Sequence, residues 1–354
     1  MIKLAINGFG RIGRAAFKAA TDLHGLGERL RRSERINTDN IEVVAVNDLA
    51  DGETLANLLK YDSVYGVSPA EISFADSHLA IGEKRIRLLC EKEPTKLPWG
   101  DLDVDVVLEC TGVFADFEKA QAHLDAGAKK VIISANAKGE GLTIILGTES
   151  ARQLDSLTAG QQILSNASCT TNCIAPVMQI LKDKFGVEKS LMTTTHAYTS
   201  TQNLVDGPNK DPRRARAAAV NIVPTTTGAA KAAAKAVPEL KGRFDGIVVR
   251  VPVPCASLAD IVALLGKNVT AEEVNHVLKK ASESEEYKGI VEYSEAPLVS
   301  SDVIGNPHSA VVDGPFTRVV GGNLVKVLAW YDNEWAYGCR LVELAQRIGK
   351  EVPT

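Results

Sequence analysis

The feature that most constrains this chain lies in its first two dozen residues. Residues 2–6 form an apolar, β-favouring run closed by Asn7-Gly8, and Gly8-Phe9-Gly10-Arg11-Ile12-Gly13 opens a stretch of helical character over residues 11–23. Glycines permit the tight turn and let the backbone approach a pyrophosphate, which then sits on the free N–H groups of the helix N-terminus. Set between a strand and a helix, Gly8, Gly10 and Gly13 point to dinucleotide binding; the bland alternative is a turn that is merely rich in glycine.

The rest of the first half keeps that rhythm. Strand-like runs at residues 41–47 (IEVVAVN), 104–108, 131–134 and 143–146 alternate with helical stretches at 54–60 and 117–126. Alternation of this kind predicts a parallel, doubly wound sheet with ligands beyond the carboxyl ends of its strands. The second half has longer apolar runs at 246–253, 258–265 and 323–331, which predict a mostly antiparallel sheet. Thr270-Ala271-Glu272-Glu273 reads as a capping box opening a helix through Ala281. The expected fold is therefore α/β plus α+β: a doubly wound Rossmann domain (1–168, with a final helix returning from 334–354) and a catalytic domain (169–333).

Binding an NAD ribose needs a carboxylate at the end of the second strand. Asp48 closes that run, 35 residues after Gly13, where about 20 is usual. The excess lies in residues 23–40, which read as an exposed insertion whose Arg29, Arg31, Arg32 and Arg35 belong to a solvated helix extension. Asp48 would repel a 2′-phosphate, so NAD is expected over NADP.

Composition excludes several classes. Lys plus Arg number 40 and Asp plus Glu 44, a net charge of −4, which gives no electrostatic reason to expect nucleic acid or an anionic membrane as partner. No apolar run approaches the roughly 20 residues that span a bilayer, and Met1-Ile2-Lys3 leads into the first strand without a secretory pattern. Six scattered cysteines in 354 residues are no disulfide framework. The expectation is a cytoplasmic protein.

Asn166-Ala167-Ser168-Cys169-Thr170-Thr171-Asn172-Cys173 stands between a short strand and a helix over 174–184. Cys169 in the first helical turn, after Ser168 as N-cap, would meet free N–H groups and the helix dipole, both of which favour a thiolate. Cys173, one turn on, reads as buried and unreactive. His196 ends a polar-edged strand, so beside the cysteine it is the candidate base and the partner of a thiolate–imidazolium pair; taken alone, it reads sooner as a hydrogen-bonded core histidine. His24, His78, His123, His276 and His308 read as surface residues. Cys169, Cys173 and His196 lack a fourth ligand and the usual cysteine spacing, so no metal is expected. Hydroxyls at Ser168, Thr170, Thr199 and Thr225–Thr227 before Gly228, with Arg213, Arg214, Arg216 and Arg250 available, suit phosphate oxyanions, although such runs are also ordinary turns, caps and solvated faces.

Taken in order, INGFGRIGR (6–14), VNDL (46–49), LLKYDSVYG (58–66), LPWG (97–100), TGVF (111–114), SNASCTTNC (165–173), THAYT (195–199), RRARAAA (213–219), PTTTGAAKA (224–232) and YDNEW (331–335) resemble the phosphorylating glyceraldehyde-3-phosphate dehydrogenases over almost the whole chain. The resemblance implies that Cys169 attacks the aldehyde and His196 takes the proton. Hydride then passes to NAD, and inorganic phosphate releases 1,3-bisphosphoglycerate from a cysteine thioester. It also implies that Ser168, Thr170, Thr227 and Gly228, near Arg214, hold the attacking phosphate, and that Thr199 and Arg250 hold the substrate's own. Arg11, Ile12 and Asp48, with Thr111 and Ser134, would contact NAD, while Asn333 would orient its nicotinamide amide. A homotetramer is implied, with residues 198–222 packing near a neighbour's cofactor.

Four departures stand out. Ser200-Thr201-Gln202 replaces the family's Asn-Asp-Gln, removing an aspartate from the substrate-phosphate site; Asn136 stands where proline is usual; RVPVPC (250–255) replaces RVPTPN; and Gly207-Pro208 replaces Leu-Pro. They keep open a relative acting on erythrose 4-phosphate. A regulatory NAD-binding protein is the remaining alternative.

Overall fold

In the computed structural model, residues 1–21, 30–158 and 160–349 are described, and the chain divides into two units. The first comprises residues 1–144, 152–168 and the chain from 337 onward; the second comprises 145–151 and 169–336.

The first unit contains, in chain order, β1 (Ile2–Asn7), α1 (Arg11–Thr21), β2 (Ile41–Asn47), α2 (Gly52–Lys60), β3 (Tyr61–Asp62), β4 (Gly66–Val67), β5 (Ile72–Ala75), β6 (His78–Ile81), β7 (Lys84–Leu89), β8 (Val106–Glu109), α3 (Phe117–Asp125), β9 (Lys130–Ile133), β10 (Leu142–Thr143) and β11 (Ile163–Ser165). Nine of these strands form one sheet in the order β10-β11-β9-β8-β1-β2-β7-β6-β5. It is parallel from β10 to β7 and antiparallel through the β7-β6-β5 meander. Leu4, Ala5 and Ile6 of β1 and Val106, Val107 and Leu108 of β8 are wholly buried, because both faces of a parallel sheet are covered. Asp51 and Asp116 cap α2 and α3 by accepting from Thr54 N and Glu118 N.

Three expectations change here. The strand read over 143–146 ends after Thr143: Ile144 N still donates to Ser165 O of β11, but Ile145 N turns to Ser150 Oγ, and Ile144, Ile145 and Leu146 are fully buried. The strand read from residue 104 starts at Val106, since Val104 N turns back to Trp99 O. Residues 30–40 are a solvated extension only in part: Arg31 and Arg32 are exposed, as expected, but other side chains of the segment are not. Leu30, Ser33 and Ile36 are buried, Arg35 Nε donates to Glu343 Oε1 at 2.5 Å, and Asn37 N donates to Gln346 Oε1 at 3.2 Å, fastening the segment to α8 (Trp335–Gly349). His24, Arg29 and the end of the first predicted helix lie outside the described residues.

The second unit contains α4 (Cys169–Phe185), β12 (Val187–Ala197), β13 (Val223–Thr225), α5 (Ala229–Ala236), β14 (Phe244–Val251), β15 (Ser257–Leu265), α6 (Ala271–Ser282), β16 (Val291–Ser294), α7 (Ser300–Val303), β17 (Ala310–Asp313), β18 (Arg318–Val320) and β19 (Leu324–Tyr331). Its sheet runs β13-β14-β12-β15-β19-β17-β16, with β18 added to β19. The pairs are antiparallel except β12 with β14 and β16 with β17. The capping box is present: Thr270 Oγ1 accepts from Glu273 N, and Glu273 Oε2 accepts from Thr270 N. Along β12 the even positions Ser190, Met192, Thr194 and His196 are buried; Ser190 faces Met178 of α4, so that helix covers the face on which His196 lies.

Candidate active site

In the first unit, a cleft of about 410 Å³ opens at the carboxyl ends of β1, β2, β7 and β8. It is lined by Asn7, Gly8, Gly10, Asp48 and Thr111 among others, with Leu49, Val113 and Phe114 as apolar walls. The glycines divide the work. Gly8 has φ +92°, and a Cβ there would come within 2.6 Å of Thr111 N; a Cβ on Gly13 would strike Gly8 O at 2.0 Å. Gly10 faces open space, which is what close approach of a pyrophosphate requires. Asp48 is held by both oxygens, accepting from Phe9 N at 2.7 Å and from Ala50 N at 3.0 Å, so the loop itself aims the carboxylate. The residues present therefore fit a dinucleotide. Arg11 and Ile12 open α1, which places their backbone N–H groups at its N-terminus, while the Arg11 guanidinium pairs with Asp62 at 2.9 Å. Ser134 follows β9 and donates its N–H to Glu109 O; it is not among the cleft-lining residues.

In the second unit, Cys169 opens α4. Its Sγ lies 3.5 Å from Nε2 of His196. The His196 ring is 97% buried and packs edge-on against Tyr331, with centroids 6.0 Å apart. Because β12 and β14 are parallel with His196 opposite Arg250, the guanidinium reaches the imidazole: Arg250 Nη1 is 2.6 Å from Nδ1 and 2.8 Å from Ala197 O. Nδ1 is also 2.7 Å from Ala197 O. A guanidinium only donates, so its bond to Nδ1 needs the lone pair, whereas a bond to Ala197 O needs N–H. The two contacts thus belong to two tautomers.

The electrostatics correct the expected thiolate–imidazolium pair. Burial pushes the Cys169 thiol above its ordinary range despite the opposing Arg250 charge and the helix N–H groups. Burial, then Arg250, lowers His196 to about 3, against a smaller opposing contribution from Ala197 O. Both shifts favour a neutral thiol beside a neutral imidazole. Cys173 is fully buried and donates to Ala329 O at 3.8 Å; its thiol is pushed well up by burial. Among the described residues no cluster of histidine, cysteine and carboxylate side chains could hold a metal ion.

The hydroxyl groups separate into distinct roles. Thr170 Oγ1 pairs with Tyr331 OH at 2.8 Å, and Thr227 Oγ1 accepts from Ala229 N at the start of α5, where Gly228 is the N-cap. Ser168 directly precedes α4. Thr199 Oγ1 meets Thr201 Oγ1 at 2.9 Å, and Arg214 Nη1 donates to Thr201 Oγ1 at 3.3 Å, so Thr201 bridges a hydroxyl and an arginine from the two expected phosphate sites. Arg214 is further held by Thr225 Oγ1 and Asp211. Asn333 is buried and its Oδ1 accepts from Ser257 Oγ at 3.0 Å.

Sequence reasoning missed Tyr331, the polar side of the dinucleotide cleft formed by Asn7, Asn47 and Lys92, and above all His123, which is no surface residue. It is completely buried between Trp99 and Glu109. Its helical spacing from Phe117 and Ala120 was the available signal.

Comparison with known proteins matches residues 2–117 to the glyceraldehyde 3-phosphate dehydrogenase NAD binding domain and residues 168–333 to the C-terminal domain of the same family. The chain is 51% identical over 353 residues to a glyceraldehyde-3-phosphate dehydrogenase of Mycolicibacterium smegmatis, covering 99% of each chain. It is 50% identical to those of Mycobacterium avium and Priestia megaterium, covering 99% and 98% of each chain.

Proposed function

The chain belongs to the glyceraldehyde-3-phosphate dehydrogenase family, and from that premise we propose how its own residues carry out the reaction. It is an NAD-dependent dehydrogenase that converts D-glyceraldehyde 3-phosphate and inorganic phosphate to 1,3-bisphosphoglycerate. The observation that carries the reading is Cys169 at the first position of α4 with its Sγ 3.5 Å from His196 Nε2.

Arg250 takes the substrate's phosphate together with Thr199, which draws the guanidinium off Nδ1. Nδ1 then holds the proton and donates it to Ala197 O, leaving the Nε2 lone pair facing Sγ. Sγ attacks the aldehyde carbon and its proton passes to Nε2. When bound, NAD supplies the acceptor for the hydride that the tetrahedral adduct loses. His196 returns the thiol proton to the adduct's oxyanion and takes it back as the hydride leaves, so that a thioester remains on Cys169. A phosphate oxygen, held near Ser168, Thr227, Gly228 and Arg214, attacks the thioester carbonyl; the C–S bond breaks, and Cys169 leaves as a thiolate that His196 reprotonates. Thr170 assists through its backbone, since its hydroxyl is engaged by Tyr331.

Assembly and location complete the proposal. Leu191, Ile247 and Leu324 are exposed on strands of the second unit's sheet, and Leu204, Val205, Val220 and Ile222 are exposed on the 198–222 segment. Apolar surface on this scale is covered by other copies of the chain, in a homotetramer. The six cysteines are all free, which suits the reducing cytoplasm, and no helix among the described residues is long and apolar enough to cross a membrane.

The test is NADH formation from glyceraldehyde 3-phosphate, with and without inorganic phosphate, by the native protein and by Cys169→Ser. Phosphate-dependent turnover lost in the variant is expected; turnover that survives it removes Cys169 from the chemistry. Erythrose 4-phosphate supporting faster turnover than the triose would move the reading to the related dehydrogenase.

A further inference from the structure

The first unit hides a carboxylate that the chemistry above does not use. Glu109 is the last residue of β8 and is 1% exposed. Its Oε1 accepts from Thr111 N at 2.8 Å and from Thr111 Oγ1. Its Oε2 accepts from Asn7 Nδ2 at 2.6 Å and lies 3.0 Å from His123 Nε2. His123 brings no positive charge to the pair: its Nδ1 accepts from Trp99 Nε1 at 3.1 Å, so the ring's single proton sits on Nε2 and points at Glu109. An uncompensated buried carboxylate is costly unless its lone pairs are filled, and four donors fill them.

Those donors are not scattered through the core. Asn7 ends β1, and its Oδ1 accepts from Asn47 Nδ2 at 2.7 Å; Asn47 ends β2 and exchanges hydrogen bonds with the backbone of Glu91, just past β7. Glu109 thus anchors a polar chain across the carboxyl ends of four neighbouring strands, β8-β1-β2-β7, and Asn7, Asn47, Glu91 and Thr111 all line the dinucleotide cleft. Its grip on Thr111 N seats the 110–111 backbone against which Gly8 packs, where a Cβ would find Thr111 N at 2.6 Å and Cys110 C at 2.8 Å. The first glycine of the pyrophosphate turn therefore rests on a wall that Glu109 holds. A sheet needing only stability could fill this position with an apolar side chain.

We propose that Glu109, oriented by His123 and Trp99, is a positioning residue of the cofactor site: it fixes the floor and one wall of the cleft, and its effect is read in NAD affinity and not in thiol chemistry. The proposal rests on the reading of this cleft as the NAD site.

The test measures the NAD dissociation constant by calorimetry on the full-length protein and on Glu109→Gln, His123→Gln and His123→Leu. In Glu109→Gln an NH2 group faces at least one N–H that can only donate, whichever way the amide turns: Thr111 N on one side, Asn7 Nδ2 and His123 Nε2 on the other. NAD binding by this variant and by His123→Leu should weaken about tenfold or more, the scale on which an unpaired buried donor acts. His123→Gln still donates to Glu109 and accepts from Trp99, so it should stay within about threefold of wild type. In all three, alkylation of Cys169 without NAD, kcat at saturating NAD and KM for the aldehyde should be unchanged; a merely structural lesion would lower them together. If Glu109→Gln does not fold, the two His123 variants decide between themselves: equal affinity in both overturns the proposal. Wild-type affinity in Glu109→Gln also overturns it while leaving the cofactor reading intact, whereas no NAD binding by the native protein overturns both.

Discussion

Asp48 should set the choice between NAD and NADP, and the size of the effect follows from how it is held. Its two oxygens are taken by Phe9 N at 2.7 Å and Ala50 N at 3.0 Å, so the carboxylate cannot swing away from a cofactor ribose. Two unit charges at about 4 Å repel by about 1 kcal/mol in water and about 4 kcal/mol at an effective dielectric of about 20. A phosphate monoester at neutral pH carries a charge of about −1.5 to −2. Even at the wet end the repulsion is about 2 kcal/mol, or about 30-fold in affinity. The assay is a pair of dissociation constants, for NAD and NADP, in native protein and in Asp48→Asn. The amide oxygen of the variant still accepts one loop N–H, so the turn survives while the charge goes. NADP should bind the native protein about 30-fold or more weakly than NAD, and in the variant the gap should shrink to about threefold. The native gap should also narrow with salt, because the screening length falls from about 10 Å at 0.1 M to about 3 Å at 1 M. A ratio unchanged in Asp48→Asn would refute the argument and place selectivity elsewhere in the cleft.

Four further expectations follow from the site. In NAD-free protein, iodoacetamide alkylation of Cys169 should rise with pH through a midpoint above the ordinary thiol value of about 8.5, with no inflection near 6.5; a plateau already reached by about pH 6.5 would show a preformed ion pair. His196 binds its proton near 3 in the folded chain but near 6.5 when unfolded, so the unfolded state holds the extra proton between those values and stability falls as pH drops through that window. Acidification from pH 7 to 5 should therefore cost the native protein about 2 kcal/mol that His196→Asn is spared, and parallel losses in thermal midpoint would contradict it. Thr201→Asp would pair with Arg214 at a largely exposed site and oppose anions, raising the KM for inorganic phosphate up to about fivefold; a fall in KM would show that the carboxylate helps instead. Sedimentation should give a mass four times that of the chain, and a monomer at micromolar concentration would remove the oligomer from the proposal.

What the sequence made legible was local. The strand, glycine turn and helix at residues 2–21 are decided by neighbours, as is Cys169 at the start of α4. His196 was also within reach, because the two-residue period along β12 puts it on one face with Met192 and Thr194. What escaped depended on pairing across the chain. Arg250 meets His196 only because β12 and β14 run parallel in one register, which no local pattern announces. Arg35, read as solvated, finds Glu343 308 residues away. His123 was misread through its polar neighbours, although Phe117 and Ala120 are spaced to mark its buried face.

The charge state of Cys169 shows why burial escapes a reading of the sequence. A helix N-terminus favours an anion by about 0.3–1 kcal/mol, up to about 2 when partly buried, and sequence alone supplies that contribution. Full burial shifts a titratable group by as much as about 3–5 pH units, each worth 1.36 kcal/mol, and burial is known only once the chain is folded. At Cys169 and His196 the second effect is the larger, so both groups rest neutral. The arginine beside them favours the thiolate and opposes the imidazolium, so an anion that partly neutralises it relieves the opposition to the imidazolium at some cost to the thiolate. In the proposed reaction the substrate's own phosphate is that anion, so His196 becomes able to take the thiol proton where an aldehyde is in place.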